Sequence, residues 1–91
     1  MVDEELIKRR MKTLMPKLGI KFKDLLSHRR TRRLVDARSM IAARLKKMPG
    51  VRQQDIADLY GISQAAVSKL LVRHQDLMAA DVHYRDCYEA L

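Results

Sequence analysis

The chain has 91 residues, enough for one small domain, and 47% of them are hydrophobic, so it can bury a core and is no disordered tail. Its formal charge is +8 and its isoelectric point about 10.1, which favours a polyanionic partner, nucleic acid first and an anionic membrane second. A single cysteine, Cys87, excludes an internal disulfide framework and fits a reducing cytoplasm; no run approaches a transmembrane length, and the acidic start VDEEL is no signal-peptide core.

Taken in chain order, the elements read as helices without a strand candidate. A first helix over about Glu4–Met15 places Leu6, Ile7, Met11, Leu14 and Met15 on one side, with Glu4 and Glu5 at its positive end. Pro16 is expected to stop or kink it, and Gly19 to close the connection. A short helix over Phe22–Leu26 follows, then a basic loop over 27–33. A third helix over about Leu34–Met48 carries Leu34, Ala37, Ile41, Leu45 and Met48 at helical spacing, with Arg38, Arg44, Lys46 and Lys47 on its outer face. Pro49-Gly50 terminates it.

Residues 53–72 are the most informative stretch. Ile56, Ala57, Leu59 and Tyr60 mark one helix; Gly61 suits a sharp turn because it reaches positive φ without a Cβ clash. Ser63 is a good N-cap for a second helix, whose apolar face is Val67, Leu70 and Leu71. The spacing is that of a DNA-binding helix-turn-helix, whose second helix enters the major groove. An ordinary αα-hairpin in a small bundle is the plain alternative. The last helix, 77–91, carries Leu77, Tyr84 and Leu91 at seven-residue intervals, with Val82 and Tyr88 nearby. That stripe covers the domain's own core or else forms a homodimer contact, since many helix-turn-helix proteins bind as twofold dimers. The fold expected is a single all-α domain over 1–91, a compact bundle of about five to six helices.

Charge is unevenly spread. Through His74 the chain has 18 Lys and Arg against 7 Asp and Glu, whereas beyond it one arginine, Arg85, faces Asp76, Asp81, Asp86 and Glu89. The densest block is Arg29, Arg30, Arg32 and Arg33, which repels itself unless phosphates compensate it; arginines can also enter a narrow minor groove. A solvated loop is the bland reading of the same cluster. Other chemistry is thin. His83 and Cys87 lie four apart, but two ligands make no metal site, and no nucleophile–base arrangement is visible, so neither cofactor, metal nor enzymatic activity is expected.

The order Leu25-Leu26-Ser27, Arg29-Arg30-Thr31-Arg32, then Ala37-Arg38 and a long helix resembles the start of the C-terminal DNA-binding domain of the bacterial replication initiator DnaA, a helix-turn-helix domain of the Trp-repressor-like superfamily. Ile56-Ala57, Gly61 and Val67 follow at the matching distance, and the resemblance spans roughly Leu14–Arg73. It implies that Arg30 corresponds to a minor-groove arginine and Arg38 to an arginine that contacts DNA from the start of the long helix. The family's basic-Asp-His-Thr-Thr reading run is replaced here by Ile62-Ser63-Gln64-Ala65-Ala66, and the turn is one residue shorter, which implies a different target. No glycine-rich phosphate loop accompanies it, so a complete initiator is not expected.

The function expected is therefore sequence-specific binding of double-stranded DNA, by a transcriptional regulator or replication-associated factor of bacterial or phage origin. Base reading falls to Ser63, Gln64, Ala65 and Ser68: Gln64 can pair with adenine N6 and N7, and Ala65 can pack on a thymine methyl. Arg29, Arg30, Arg32, Arg33, Arg38, Lys69 and Arg73 are the expected phosphate and minor-groove contacts. The alternatives are an interaction protein that mimics the initiator's domain and engages its partners through the acidic, aromatic last helix, and a separated targeting module of a nuclease or transposase.

Overall fold

The computed structural model describes residues 3–27 and 29–91; His28, inside the expected basic loop, and Met1 and Val2 lie outside the described residues. Six helices in chain order, α1 Glu4–Leu18, α2 Phe22–Leu25, α3 Arg32–Lys46, α4 Gln53–Tyr60, α5 Gln64–Ala80 and α6 Val82–Glu89, make an all-α bundle with no strand among the described residues.

Helix α1 starts where the Asp3 carboxylate accepts from the Glu5 N–H at 3.0 Å. It does not stop before Pro16, as the sequence suggests, but continues to Leu18. A proline in the last turn removes a single N–H, and the helix closes just beyond it: Gly19, at φ 66°, and Ile20 send their N–H groups back to Pro16 and Met15. Ile7, Met11, Leu14 and Met15 are buried, whereas Leu6, read as part of the same stripe, is 49% exposed.

Helix α3 is the axle of the bundle. It packs against α1, α2, α4 and α5, and its Met40 and Ala43 meet Tyr84 and Tyr88 of α6. Leu34, Ala37, Ile41 and Leu45 are buried as their spacing predicts, while Met48 is half-buried. The helix begins two residues before the expected start because the Thr31 hydroxyl caps the Leu34 N–H, so Arg32 and Arg33 are helical and the basic loop is shorter than 27–33. It ends at Lys46 in turn-like bonds, Lys47 to Arg44 and Met48 to Leu45.

Helices α4 and α5 follow the reading of 53–72 closely. Asp55 reaches back to the Arg52 N–H at 2.8 Å, Gly61 closes α4 at φ 70°, and the Ser63 hydroxyl accepts from the Ala66 N–H at 3.1 Å. Ile56, Ala57, Leu59, Tyr60 and Val67 are buried; Leu70 and Leu71 are half-buried against the same core. Two corrections fall at the far end. Helix α5 runs on to Ala80, so Leu77 belongs to it, and the final helix is Val82–Glu89 rather than 77–91. The break is one residue, Asp81, whose carboxylate caps the Tyr84 N–H at 3.0 Å and so starts a new helix. Tyr84 and Tyr88 are 3% and 4% exposed, so the stripe covers the protein's own core, while Val82 points outward at 62%. No helix is long and apolar enough to cross a membrane among the described residues.

Candidate nucleic-acid interface

The first turn of α5 stands clear of the protein. Capping uses Ser63's oxygen, and Ser63, Gln64, Ala65 and Lys69 are exposed, with Ser68 half-buried beside them. Val67, fully buried one step round the helix, anchors that turn, so the exposed residues hold a fixed orientation. Short polar side chains at this place present a hydroxyl, an amide and a methyl group to whatever approaches.

Arg30 of the loop and Lys69 of α5 both line one groove of about 400 Å³, together with Tyr60, Ile62 and Ala66. The guanidinium groups of Arg29 and Arg30 make no hydrogen bond or ion pair among the described residues, and both residues are exposed. Cations left without an internal partner keep their full attraction for an external anion.

The other arginines of the block are tied into the fold. Arg32 bonds to Asp81 at 2.9 Å and lies 3.6 Å from Asp36; Arg33 donates to the Gly19 carbonyl at 2.7 Å. Arg73, on α5, is held by Asp36 at 2.7 Å, which pins the recognition-helix candidate to α3. Asp36 of α3 thus sits between two guanidiniums, Arg32 of its own helix and Arg73 of α5, each reaching it through one nitrogen.

Arg38 is the largest departure from a simple outward reading of α3. Its guanidinium is half-buried and turns back under the loop, donating to the carbonyls of Ser27 at 2.6 Å, Leu25 at 2.7 Å and Arg29 at 2.8 Å, with a longer bond to Asp24 at 3.3 Å. Burial draws it below its ordinary value, Tyr60 works the other way, and repulsion from Arg30 adds to the lowering; a guanidinium stays charged throughout. The buried Tyr60 hydroxyl donates to the Arg38 carbonyl at 2.9 Å, so α4 fixes the residue that fixes the loop. A helix projection cannot show this, because the fork's partners come from a loop that folds back over it.

Two exposed apolar residues at this face have no role assigned in the sequence reading. Ile62, in the turn, is 38% exposed, and Val72, seven residues after Ala65 and so on the same side of α5, is 54% exposed. An i, i+7 projection from Ala65 is the signal that points to Val72.

The remaining candidate chemistry is remote from this face. His83 Nε2 and Cys87 Sγ are 4.0 Å apart on α6, and among the described residues no group of three or more His, Cys, Asp or Glu could hold a metal ion. A second depression of about 620 Å³ lies between α3 and α6, but its Arg32 and Arg33 are already bonded to Asp81 and Gly19. The chain matches no family model, no curated protein and no solved structure. Side-chain geometry therefore carries the functional argument.

Proposed function

We propose that the chain binds double-stranded DNA sequence-specifically, with α4 and α5 acting as a helix-turn-helix. In this reading α5 enters the major groove by its first two turns, and the loop carrying Arg29 and Arg30 lies toward the adjacent minor groove. The observation that carries it is the groove lined by Arg30 of the loop and by Ala66 and Lys69 of the α5 start, next to the exposed Ser63, Gln64 and Ala65, with an Arg30 guanidinium that has no partner among the described residues. The net charge of +8 supports it, and so does the resemblance of Leu14–Arg73 to the DNA-binding domain of DnaA.

Roles divide by chemistry. Gln64 and Ala65 read base edges, the first by its paired amide donor and acceptor and the second by contact with a thymine methyl. Ser63 and Ser68 are less selective. Arg29, Arg30 and Lys69 neutralise phosphates or enter the narrow groove. Arg38 is a positioning residue for the loop, and Arg32, Arg33 and Arg73 hold helices in register. Such a protein works where its DNA is, in a bacterial cytoplasm, as a transcriptional regulator or a replication-associated factor. The mimic reading relies on aromatic residues in the last helix, and Tyr84 and Tyr88 are spent on the core, which favours DNA.

Selection of bound duplexes from a random pool tests the proposal. Enrichment of a defined site of several base pairs is expected, and a palindromic site would add that two copies bind as a twofold pair. Recovery of unenriched sequence overturns sequence-specific reading.

A further inference from the structure

We propose that the outward faces of α1 and α2 form a second, sequence-independent phosphate-binding ridge that extends the interface along the same duplex. This rests on the DNA-binding reading above and adds a surface to it. One side of α1 is buried through Ile7, Met11, Leu14 and Met15. Round the rest of the helix Arg9, Arg10, Lys12 and Lys17 are exposed, and Lys21 and Lys23 are exposed at α2. None of these six side chains has a hydrogen bond or ion pair among the described residues; the acids at the helix start, Glu4 and Glu5, face Lys8 at 3.8 and 4.0 Å.

A helix that needs charge only for solubility interleaves the two signs, since opposite charges three or four residues apart attract and like charges repel. Here Arg9 and Lys12 are like-charged neighbours on one turn's spacing, and residues 6–23 contain no Asp or Glu. A polyanion relieves that repulsion. The ridge also leads to the proposed interface: Arg33 donates to the Gly19 carbonyl, which joins the end of α1 to the start of α3 directly after the arginine loop. Lys12 lies 5.9 Å from the centre of the Phe22 ring, which ties α1 to α2. At about 1.5 Å per residue α1 is roughly 22 Å long, and B-DNA offers a phosphate charge about every 1.7 Å of axis. The partner is duplex DNA in preference to a lipid surface because the outer face of α1 has a single large apolar residue, Leu6, and no aromatic to insert.

The test compares the full chain with a variant carrying Arg9→Gln, Lys12→Gln, Lys17→Gln and Lys21→Gln, all surface positions whose folding is checked by circular dichroism. Anisotropy titrations use duplexes of about 10 and about 20 bp, one and two helical turns, sharing the selected core, over a series of NaCl concentrations. The wild-type chain should gain affinity on the longer duplex, and the variant should lose that gain. The slope of log K against log salt on the longer duplex should fall by about 2–4 in the variant, at roughly 0.9 for each phosphate that is no longer neutralised. Equal slopes and equal length dependence in two proteins that both bind would overturn the ridge and leave the helix-turn-helix reading intact. Binding of neither duplex by either protein would sink the DNA reading itself. An unchanged DNA slope together with loss of binding to phosphatidylserine vesicles would assign the face to membranes and overturn the ridge.

Discussion

Replacing Arg38 with lysine should loosen the arginine loop almost as much as replacing it with alanine. Three of the Arg38 bonds are short, at 2.6, 2.7 and 2.8 Å, and they end on the carbonyls of Ser27, Leu25 and Arg29. Charge-assisted bonds contribute about 1.5–3 kcal/mol each net of exchange with water, at the low end where the acceptors stay accessible. The carbonyls released lie on a partly exposed loop and find water, so the net loss is set at about 2 kcal/mol. That corresponds to about a 30-fold larger population of the opened loop. Lysine keeps the charge but donates from one atom, and it cannot span carbonyls four residues apart. Limited trypsin digestion reads this directly, because the loop holds Arg29 and Arg30, and cleavage tracks the open population when reclosing is fast. Both variants should be cut after these residues about 30-fold faster than the wild type, with modestly lower urea midpoints. An Arg38→Lys protein as resistant as the wild type would refute the fork as the clamp and leave charge alone as the cause.

Ser39 is fully buried in α3 with a hydroxyl that has no partner among the described residues, so Ser39→Ala should stabilise the fold by about 1 kcal/mol, raising Tm by roughly 4–8 °C in a thermal melt. Tyr60→Phe removes the bond to the Arg38 carbonyl and should cost about 1 kcal/mol in urea unfolding, with faster trypsin cleavage of the loop as a second sign. Burial, then Lys47 and Arg44, hold His74 below its ordinary value, beside Tyr84 at 2.8 Å and tilted against the Tyr88 ring at 4.4 Å. The unfolded chain therefore takes up the proton first, so stability is full above about pH 6.5 and falls as pH drops from there toward the folded-state value. Urea midpoints measured from pH 7.5 to 5 should show this decline in the wild type and a flatter profile in His74→Phe.

Local chemistry made much of the α4–α5 region readable. Gly61 and Ser63 each announce a backbone event, a positive φ and an N-cap, and both occur where the sequence places them. Periodicity located the buried faces of α3 and α4 for the same reason, since a helix has only one way to put its apolar residues inward. Competing signals hid the rest. Thr31 sits in an arginine run, and the charge drew Arg32 and Arg33 into a loop that the capping hydroxyl in fact turns into helix. Leu77, Tyr84 and Leu91 keep a seven-residue beat across Asp81, so spacing alone could not show that one carboxylate ends α5 and starts α6. Within the candidate site, exposure of Gln64 and Ala65 followed from the apolar face opposite them. The inward turn of Arg38 and the ties of Arg32 to Asp81, Arg33 to Gly19 and Arg73 to Asp36 join residues 9 to 49 positions apart, and tertiary partners of that kind leave no local mark.

The central claim is that α5 reads bases while the arginine loop supplies affinity. Titrating wild type, Gln64→Ala and Arg30→Ala against the selected duplex and single-base variants of it tests this division most directly. Gln64→Ala should cost about 1–3 kcal/mol on the preferred site and erase discrimination at one base pair, while Arg30→Ala should weaken binding most on AT-rich flanks and leave that discrimination in place. Equal losses from both variants on every sequence would contradict the claim.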